Sequence, residues 1–258
     1  MKLIQHDLSA LGKKDIDILY LADFHIGDPH SDYKIIREAL DKVLNDENTY
    51  CILGGDLMNC AIKSSISDSY DEALTPQEEL EQCIKLFQPL AEKGKILGIV
   101  GGNHEARIWK TDGIDMTRML AMQLKLLHVY SDATLTLLVK TGIGPKKRPL
   151  VYSIYCSHGR GGGRRPGSKI NALVDYSSVI DADIYFVGHT HSPAIVKLGA
   201  LRIIPQNGTV ANTEKLFVNT AAALSYGGYG EVQGYTPASN AYPVVHLSGS
   251  EKKMTATM

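Results

Sequence analysis

The sequence has no run of about 20 apolar residues, and we therefore expect no transmembrane helix. It also has no excess of basic residues, since 27 Lys and Arg stand against 28 Asp and Glu. This balance argues against binding of long duplex nucleic acid through a basic surface. Because 44% of the residues are hydrophobic, the composition is not that of a disordered chain. We expect one globular domain over residues 1–258.

Cysteine is scarce, with four residues and no CxxC spacing, which argues against a structural thiolate zinc site. Cys51 and Cys156 lie in apolar, strand-like runs, where cysteine usually packs as a small hydrophobic side chain. The N-terminal segment 1–14 contains no apolar signal region. We therefore expect a cytoplasmic protein.

The first half of the chain alternates apolar strands with helices. Strands are predicted at Ile16–Ala22, Cys51–Leu53 and Ile96–Val100, and helices over Tyr33–Leu44 and from Pro76 to about Glu92. The second helix begins with a capping box and a proline at its first position. This β-α-β rhythm is typical of a parallel sheet.

The second half is richer in strands, with one short helix near Ile170–Val179. Before it, Asp112 is a candidate N-cap for a further helix that begins directly after it. We predict two packed sheets in a single domain. The later predicted strands are Ala133–Lys140, Leu150–Cys156, Ile184–Val187, Ala194–Leu198, Leu201–Ile204, Leu216–Asn219 and Val244–Leu247.

Histidine, in contrast with cysteine, is abundant: five of the nine histidines stand in short contexts rich in Gly, Asp or Asn, where predicted strands end. Ligand sites in parallel sheets lie beyond the carboxyl ends of strands, so these side chains can converge. Carboxylate, amide oxygen and imidazole together suit a pair of divalent metals, and Asp56 is the best candidate for a bridging carboxylate. The candidates are Asp23, His25, Asp56, Asn103, His104, His158, His189 and His191.

The five motifs that contain these residues resemble those of the calcineurin-like metallophosphoesterase superfamily. They are D-F-H at 23–25, G-G-D at 54–56, G-G-N-H-E at 101–105, S-H-G at 157–159 and G-H-T-H at 188–191. The resemblance implies an α/β fold, a four-layer αββα sandwich of two mixed β-sheets flanked by helices. It also implies a dinuclear metal site at the carboxyl ends of the strands.

The resemblance further implies a division of roles. Asp23, His25 and His191 would bind one metal, while Asn103, His158 and His189 would bind the other. Asp56 would bridge the two ions, so both Asp56 and Asn103 count as catalytic residues. His104 would contact a phosphate oxygen or protonate the leaving group, and a metal-bridging hydroxide would be the nucleophile.

Two differences between this sequence and known members of the superfamily narrow the choice of subfamily. Asn59 stands where protein Ser/Thr phosphatases have an aspartate beside the catalytic histidine, so protein phosphatase activity is disfavoured. The stretch after His191 is too short for the capping region of the repair-nuclease subunits. The resemblance is therefore closest to compact, stand-alone members of the phage and bacterial type.

A basic, glycine-rich segment follows His158 and has two interpretations: a phosphate- or nucleotide-binding loop, or a solvated turn. We favour the former, because glycines allow backbone amides to approach an anion and arginine matches phosphate oxygens. Lys146–Arg148 is interpreted as a solvated turn, and the tyrosine-rich stretch Tyr226–Tyr242 as an ordered loop. The candidate substrate-binding residues are Arg160, Arg164, Arg165 and Lys169.

The sequence thus favours a metal-dependent phosphodiesterase or nuclease acting on a nucleotide or single-stranded nucleic acid, with no membrane partner. A phosphomonoesterase acting on a small phosphorylated metabolite or nucleotide is the alternative. A catalytically silent metal-binding scaffold is disfavoured because the ligand set is complete. The cofactor is expected to be two divalent ions, with Mn²⁺ favoured and Fe, Zn and Ni left open. Whether the protein forms a homo-oligomer also stays open.

Overall fold

A computed structural model describes residues 1–9, 15–63, 65, 72–144, 147–161, 163–232 and 234–258. Lys146, part of the basic turn interpreted above, and Gly162, part of the basic glycine-rich segment, lie outside these residues. The strands are β1 (Lys2–Asp7), β2 (Asp15–Leu21), β3 (Thr49–Leu53), β4 (Ile96–Val100), β5 (Tyr130–Ser131), β6 (Thr134–Ile143), β7 (Pro149–Ser157), β8 (Ile184–Val187), β9 (Ala194–Ile204), β10 (Thr209–Asn219), β11 (Val244–Ser248) and β12 (Met254–Thr257). The helices are α1 (Tyr33–Asn45), α2 (Pro76–Glu92), α3 (Glu105–Asp112), α4 (Met116–Gln123), α5 (Pro166–Val174) and α6 (Gly228–Val232).

The strands form two mixed sheets of six strands each within the described residues. The first has the order β12-β11-β2-β3-β4-β5, in which β2 to β5 run parallel. The second has the order β1-β6-β7-β8-β10-β9, in which β7, β8 and β10 run parallel. Among the described residues, no helix has both the length and the apolar character needed to cross a membrane.

Alternate side chains of each strand point to opposite faces, and this alternation builds the layers. The faces between the sheets form one apolar core, in which Tyr20 of β2 stacks on Phe186 of β8 with ring centroids 5.3 Å apart. The outer face of the first sheet is covered by α1, α2, α3 and α4. The outer face of the second sheet packs against Leu173 of α5. The predicted αββα sandwich is therefore confirmed.

The helix predicted at Pro76 is also confirmed at both ends. Thr75 caps α2, its hydroxyl accepts from the Glu78 backbone N–H, and the Glu78 carboxylate accepts from the Thr75 N–H at 2.8 Å. Four local predictions differ from the structure. Asp112 ends α3 rather than capping a helix, because Gly113 turns the chain with φ 69° and Asp115 caps α4 instead.

The strands predicted at 194–198 and 201–204 are one continuous strand, β9, which pairs antiparallel with β10 over its whole length. The short helix predicted near Ile170–Val179 begins earlier, at Pro166, and ends in a 3₁₀ turn at Asp175–Ser178. The stretch Tyr226–Tyr242, predicted to be a loop throughout, contains the short helix α6.

Candidate metal centre

The candidate ligands stand at the carboxyl ends of five strands, two of them in the sheet opposite the other three. Asp23 and His25 follow β2, while His158 follows β7. Two contacts join the sheets at this edge: His158 Nδ1 donates to the Gly54 carbonyl at 2.9 Å, and the His189 backbone N–H donates to Asp23 Oδ2 at 2.9 Å. The convergence predicted from strand order is therefore present.

The first ligand group consists of Asp23, His25 and His191. The Nε2 atoms of His25 and His191 are 3.1 Å apart, and His191 Nε2 is 3.3 Å from Asp23 Oδ1. Two ligands that are each about 2.1 Å from one ion lie roughly 3.0–3.4 Å apart in octahedral or tetrahedral geometry. These two spacings match that of ligands around a single cation, while the third, between His25 Nε2 and Asp23 Oδ1, is longer at 3.9 Å.

The second group consists of Asp56, Asn103, His158 and His189. His158 Nε2 is 3.1 Å from Asp56 Oδ2 and 3.0 Å from Asn103 Oδ1. Donor atoms of Asp56, His158 and His189 lie within 4.8 Å of one another, as do those of Asp56, His25 and His104. Asp56 thus lies within reach of both groups, as a bridging ligand must.

The hydrogen bonds of the imidazoles leave lone pairs directed into the site. His25 Nδ1 faces the Asn59 Oδ1 acceptor at 3.3 Å, and His158 Nδ1 donates to a backbone carbonyl, so the Nε2 of each ring faces the other candidate ligands. His158 Nε2 in turn faces two oxygen acceptors. Such an arrangement requires a cation at its centre, either a proton or a metal. The residues present fit two divalent ions held by mixed nitrogen and oxygen ligands.

The protonation of the site follows from burial and mutual charge. Burial alone would raise the pKa of Asp56, but His158 and His104 outweigh it and hold this pKa well below its usual range. Burial lowers the pKa of His158, yet the Asp56 carboxylate outweighs it and raises the pKa to about 10. Burial lowers the pKa of His25 and of His189. A bound cation would replace the proton on His158.

The backbone at the ligands is strained. A left-handed conformation costs a non-glycine residue about 1 kcal/mol or more, and in enzymes such residues cluster at functional sites. In the described part of the chain eight non-glycine residues have positive φ, and five of them are candidate ligands with φ between 48° and 68°. These five are Asp23, His25, Asp56, His189 and His191.

The His104 side chain is held by Asn59 and Arg107 beside the ligand groups. Its Nδ1 donates to the backbone and side-chain oxygens of Asn59 at 3.0 and 2.9 Å, and its Nε2 accepts from Arg107 Nη2 at 2.8 Å. Asn59 Nδ2 donates to Glu72 Oε1 at 2.7 Å, which fixes the orientation of the amide. Burial is the main cause that lowers the pKa of His104 to about 4, so the ring is neutral at pH 7.

Three of these supporting residues were not identified from the sequence. Arg107 and Glu72 contact the site through the fold alone, and no motif indicates them. Glu105 belongs to the G-N-H-E motif, and its buried carboxylate accepts from the backbone N–H groups of Asp56, Leu57 and Met58 at 3.0, 2.7 and 3.1 Å. The signal available in the sequence was a glutamate directly after the candidate site residues Asn103 and His104.

The ligand groups open into a cavity of about 490 Å³. Of the four predicted substrate-binding residues, Arg164 and Lys169 line it, whereas Arg160 and Arg165 are exposed outside its lining. Lys169 Nζ donates to the Thr190 carbonyl at 3.0 Å, so it also supports the loop that carries His189 and His191. The rest of the lining comes largely from segment 222–240.

Comparisons with solved structures give distant similarities. A conserved uncharacterized protein from Streptococcus pneumoniae, described as a predicted phosphoesterase, is 16% identical over 94% of this chain and 88% of its own, with a TM-score of 0.40. Zinc-bound Vps29 from Entamoeba histolytica is 15% identical over 94% and 97%, with a TM-score of 0.40. The calcineurin-like phosphoesterase YfkN from Bacillus subtilis is 11% identical over 95% and 90%, with a TM-score of 0.42.

Identities this low say nothing about the substrate. No curated protein matches the chain significantly. The sequence model of the calcineurin-like phosphoesterase family, in contrast, matches residues 24–193, which is more than half of the chain and contains Asp56, Asn103 and His158. The chain therefore belongs to the calcineurin-like phosphoesterase family.

Proposed function

We propose that this member of a divalent-metal-dependent family of phosphoester hydrolases cleaves phosphodiester bonds, in a nucleotide or at the end of a single strand. The observation that carries the proposal is that members of both ligand groups line one cavity of about 490 Å³. A phosphate monoester requires a pocket for one organic group. A cavity that extends well beyond the ligands leaves room for organic groups on two ester oxygens of one phosphate.

The residues have distinct roles in this proposal. Asp23, His25 and His191 hold one ion, Asn103, His158 and His189 hold the other, and Asp56 contacts both. When bound, the ions supply the Lewis acidity that activates water and offsets charge on the phosphate. His104 borders the same cavity and is the candidate to interact with a phosphate oxygen or the leaving group. Mn²⁺ is the proposed metal, since the mixed N/O donors suit it.

The basic segment after His158 divides into two parts in the proposal. Arg164 and Lys169 contact substrate inside the cavity, and the exposed Arg160 and Arg165 meet further phosphates of a longer strand outside it. The four free cysteines are all buried, which supports the proposal of a reducing, cytoplasmic location.

The test is a comparison of two substrates that release the same p-nitrophenol. Protein loaded with Mn²⁺ is assayed with bis-p-nitrophenyl phosphate and p-nitrophenyl phosphate, and we expect kcat/KM to be at least about tenfold higher for the diester. Labelled single-stranded oligonucleotides then test cleavage of a natural diester. Turnover of the monoester alone would contradict the proposal and support the alternative monoesterase.

A further inference from the structure

The cavity is bordered by a contact between two segments that lie far apart in the sequence. Arg164 stands on the basic segment that follows His158, and Tyr235 stands on segment 224–240. The guanidinium carbon of Arg164 is 5.8 Å from the centre of the Tyr235 ring, and both side chains line the cavity. This distance brings a planar cation against an aromatic ring beside the metal-ligand groups.

Hydrogen bonds order the backbone at Tyr235 and directly after Arg164. The Tyr235 N–H donates to the Gly230 carbonyl at 2.9 Å, and Asn240 Nδ2 donates to the Leu224 carbonyl at 2.9 Å, which closes the segment at its base. Arg164 comes two residues before α5, whose first turn is held by Ser168 donating to the Arg165 carbonyl. A surface whose backbone is already ordered loses less entropy on binding.

The cavity lining that segment 224–240 contributes is mixed in character, and no carboxylate of the described part of this segment belongs to it. Its apolar and aromatic members besides Tyr235 are Leu224, Tyr226, Pro237 and Ala238, and its polar members are Ser225, Thr236 and Asn240. A planar aromatic group needs only ring faces and a guanidinium plane, both of which are present.

We propose that Tyr235 and Arg164 form a stacking surface that binds a planar aromatic group, such as a nucleobase, on one ester oxygen of the substrate. This inference rests on the proposed function, since it assigns one organic substituent of the diester. It changes the role of Arg164 from a phosphate contact to the backing of a ring. Ions held by the metal ligands would then bind the phosphate, and the stacking surface selects the organic group attached to it.

The first test measures binding without turnover. Calorimetric titration of Mn²⁺-loaded protein compares phenylphosphonate with methylphosphonate, neither of which contains an ester bond to cleave. We expect phenylphosphonate to bind at least about fivefold more tightly, the lower end of the effect of stacking on one aromatic side chain. Tyr235→Leu should reduce this ratio to within about twofold of one, whereas the matched control Tyr235→Phe keeps it. Equal affinities in the wild type, or an unchanged ratio in Tyr235→Leu, would overturn the inference.

The second test distinguishes a nucleobase from other aromatic groups. Three diesters with one hexafluoroisopropyl leaving group, which has no aromatic ring and is followed by fluorine NMR, are compared: the methyl, the phenyl and the thymidine 5′ ester. We expect Tyr235→Leu to lower kcat/KM by roughly 5- to 100-fold for the phenyl and thymidine esters and to leave the methyl ester unchanged. An equal loss for all three would mean that Tyr235 is only structural. If no diester is cleaved but phenylphosphonate is preferred, the proposed function fails and the stacking surface stands.

Discussion

The contact between Asn59 and Glu72 predicts that the substitution Asn59→Asp would place two carboxylates against each other. Asn59 is 1% exposed, its Oδ1 faces the rings of His104 and His25, and its Nδ2 donates to Glu72 Oε1 at 2.7 Å. Asn59→Asp keeps the acceptor toward both histidines. It replaces the donor toward Glu72 with a second carboxylate oxygen, so that two negative charges meet at the distance of a hydrogen bond.

The magnitude follows from Coulomb's law. Two unit charges 2.7 Å apart repel by about 6 kcal/mol at an effective dielectric constant of about 20. Protonation of one carboxyl limits the cost to about 4 kcal/mol at pH 7, since each unit of raised pKa costs about 1.4 kcal/mol. Glu72 is half-buried, and solvent reduces the repulsion further, so we expect Asn59→Asp to lower the free energy of unfolding by about 2 kcal/mol.

The assay is a double-mutant cycle with urea denaturation at pH 7. Glu72→Gln alone should cost less than about 1 kcal/mol, because its amide oxygen still accepts from Asn59. Asn59→Asp combined with Glu72→Gln should recover most of the loss, because the new amide donates to the new carboxylate. We expect a coupling free energy between the two substitutions of at least about 1.5 kcal/mol. We also expect Asn59→Asp to lower the free energy of unfolding by less at pH 5 than at pH 7. Effects that add within about 0.5 kcal/mol would refute this account of the Asn59–Glu72 contact.

Three further predictions concern single residues of the site and its support. His104→Ala should lower turnover of bis-p-nitrophenyl phosphate at least about 100-fold and leave the metal content unchanged, as steady-state kinetics and metal analysis would show; unchanged turnover would remove His104 from the mechanism. Burial is the main cause that raises the pKa of Glu79 from 4.5 to about 8. The folded state therefore keeps a proton that the unfolded state loses between these values, and stability falls as the pH rises. In urea denaturation, the free energy of unfolding of Glu79→Gln minus that of the wild type should therefore increase by about 3 kcal/mol from pH 5 to pH 8. Parallel pH profiles of the two proteins would contradict this. A Cβ on Gly102 would lie 2.1 Å from the Asp56 backbone nitrogen, so Gly102→Ala should weaken Mn²⁺ binding at least about tenfold, while Gly167→Ala, whose Cβ meets no atom within 4 Å, should not.

The sequence predicted the features that local chemistry determines. The start of α2 follows from Thr75, Pro76 and Glu78, because a capping box and an N-terminal proline act within one helical turn. The convergence of Asp23, Asp56 and Asn103 follows from their positions after β2, β3 and β4, because parallel strands of one sheet end at one edge. The metal-binding roles themselves stay predictions.

The features that the sequence did not reveal depend on contacts that no local pattern indicates. Glu72 contacts Asn59 from 13 residues away in the sequence. Arg107 reaches His104 from three residues away, but only because α3 begins directly after the metal-ligand segment. Arg160 and Arg164 look alike in the sequence, yet of the two only Arg164 lines the cavity. The extent of β9 was underestimated because Gly199 resembles a turn, whereas the antiparallel pairing with β10 continues through it.

The central claim is that Asp56 joins two metal ions in one site. Metal analysis and calorimetric titration with Mn²⁺ test it directly, with Asp28→Asn as the matched control, because Asp28 lines the same cavity and belongs to neither ligand group. We expect two ions per chain in the wild type and in Asp28→Asn, and a loss of affinity at both sites together in Asp56→Asn. A single ion in the wild type, or the loss of only one ion in Asp56→Asn, would contradict the claim.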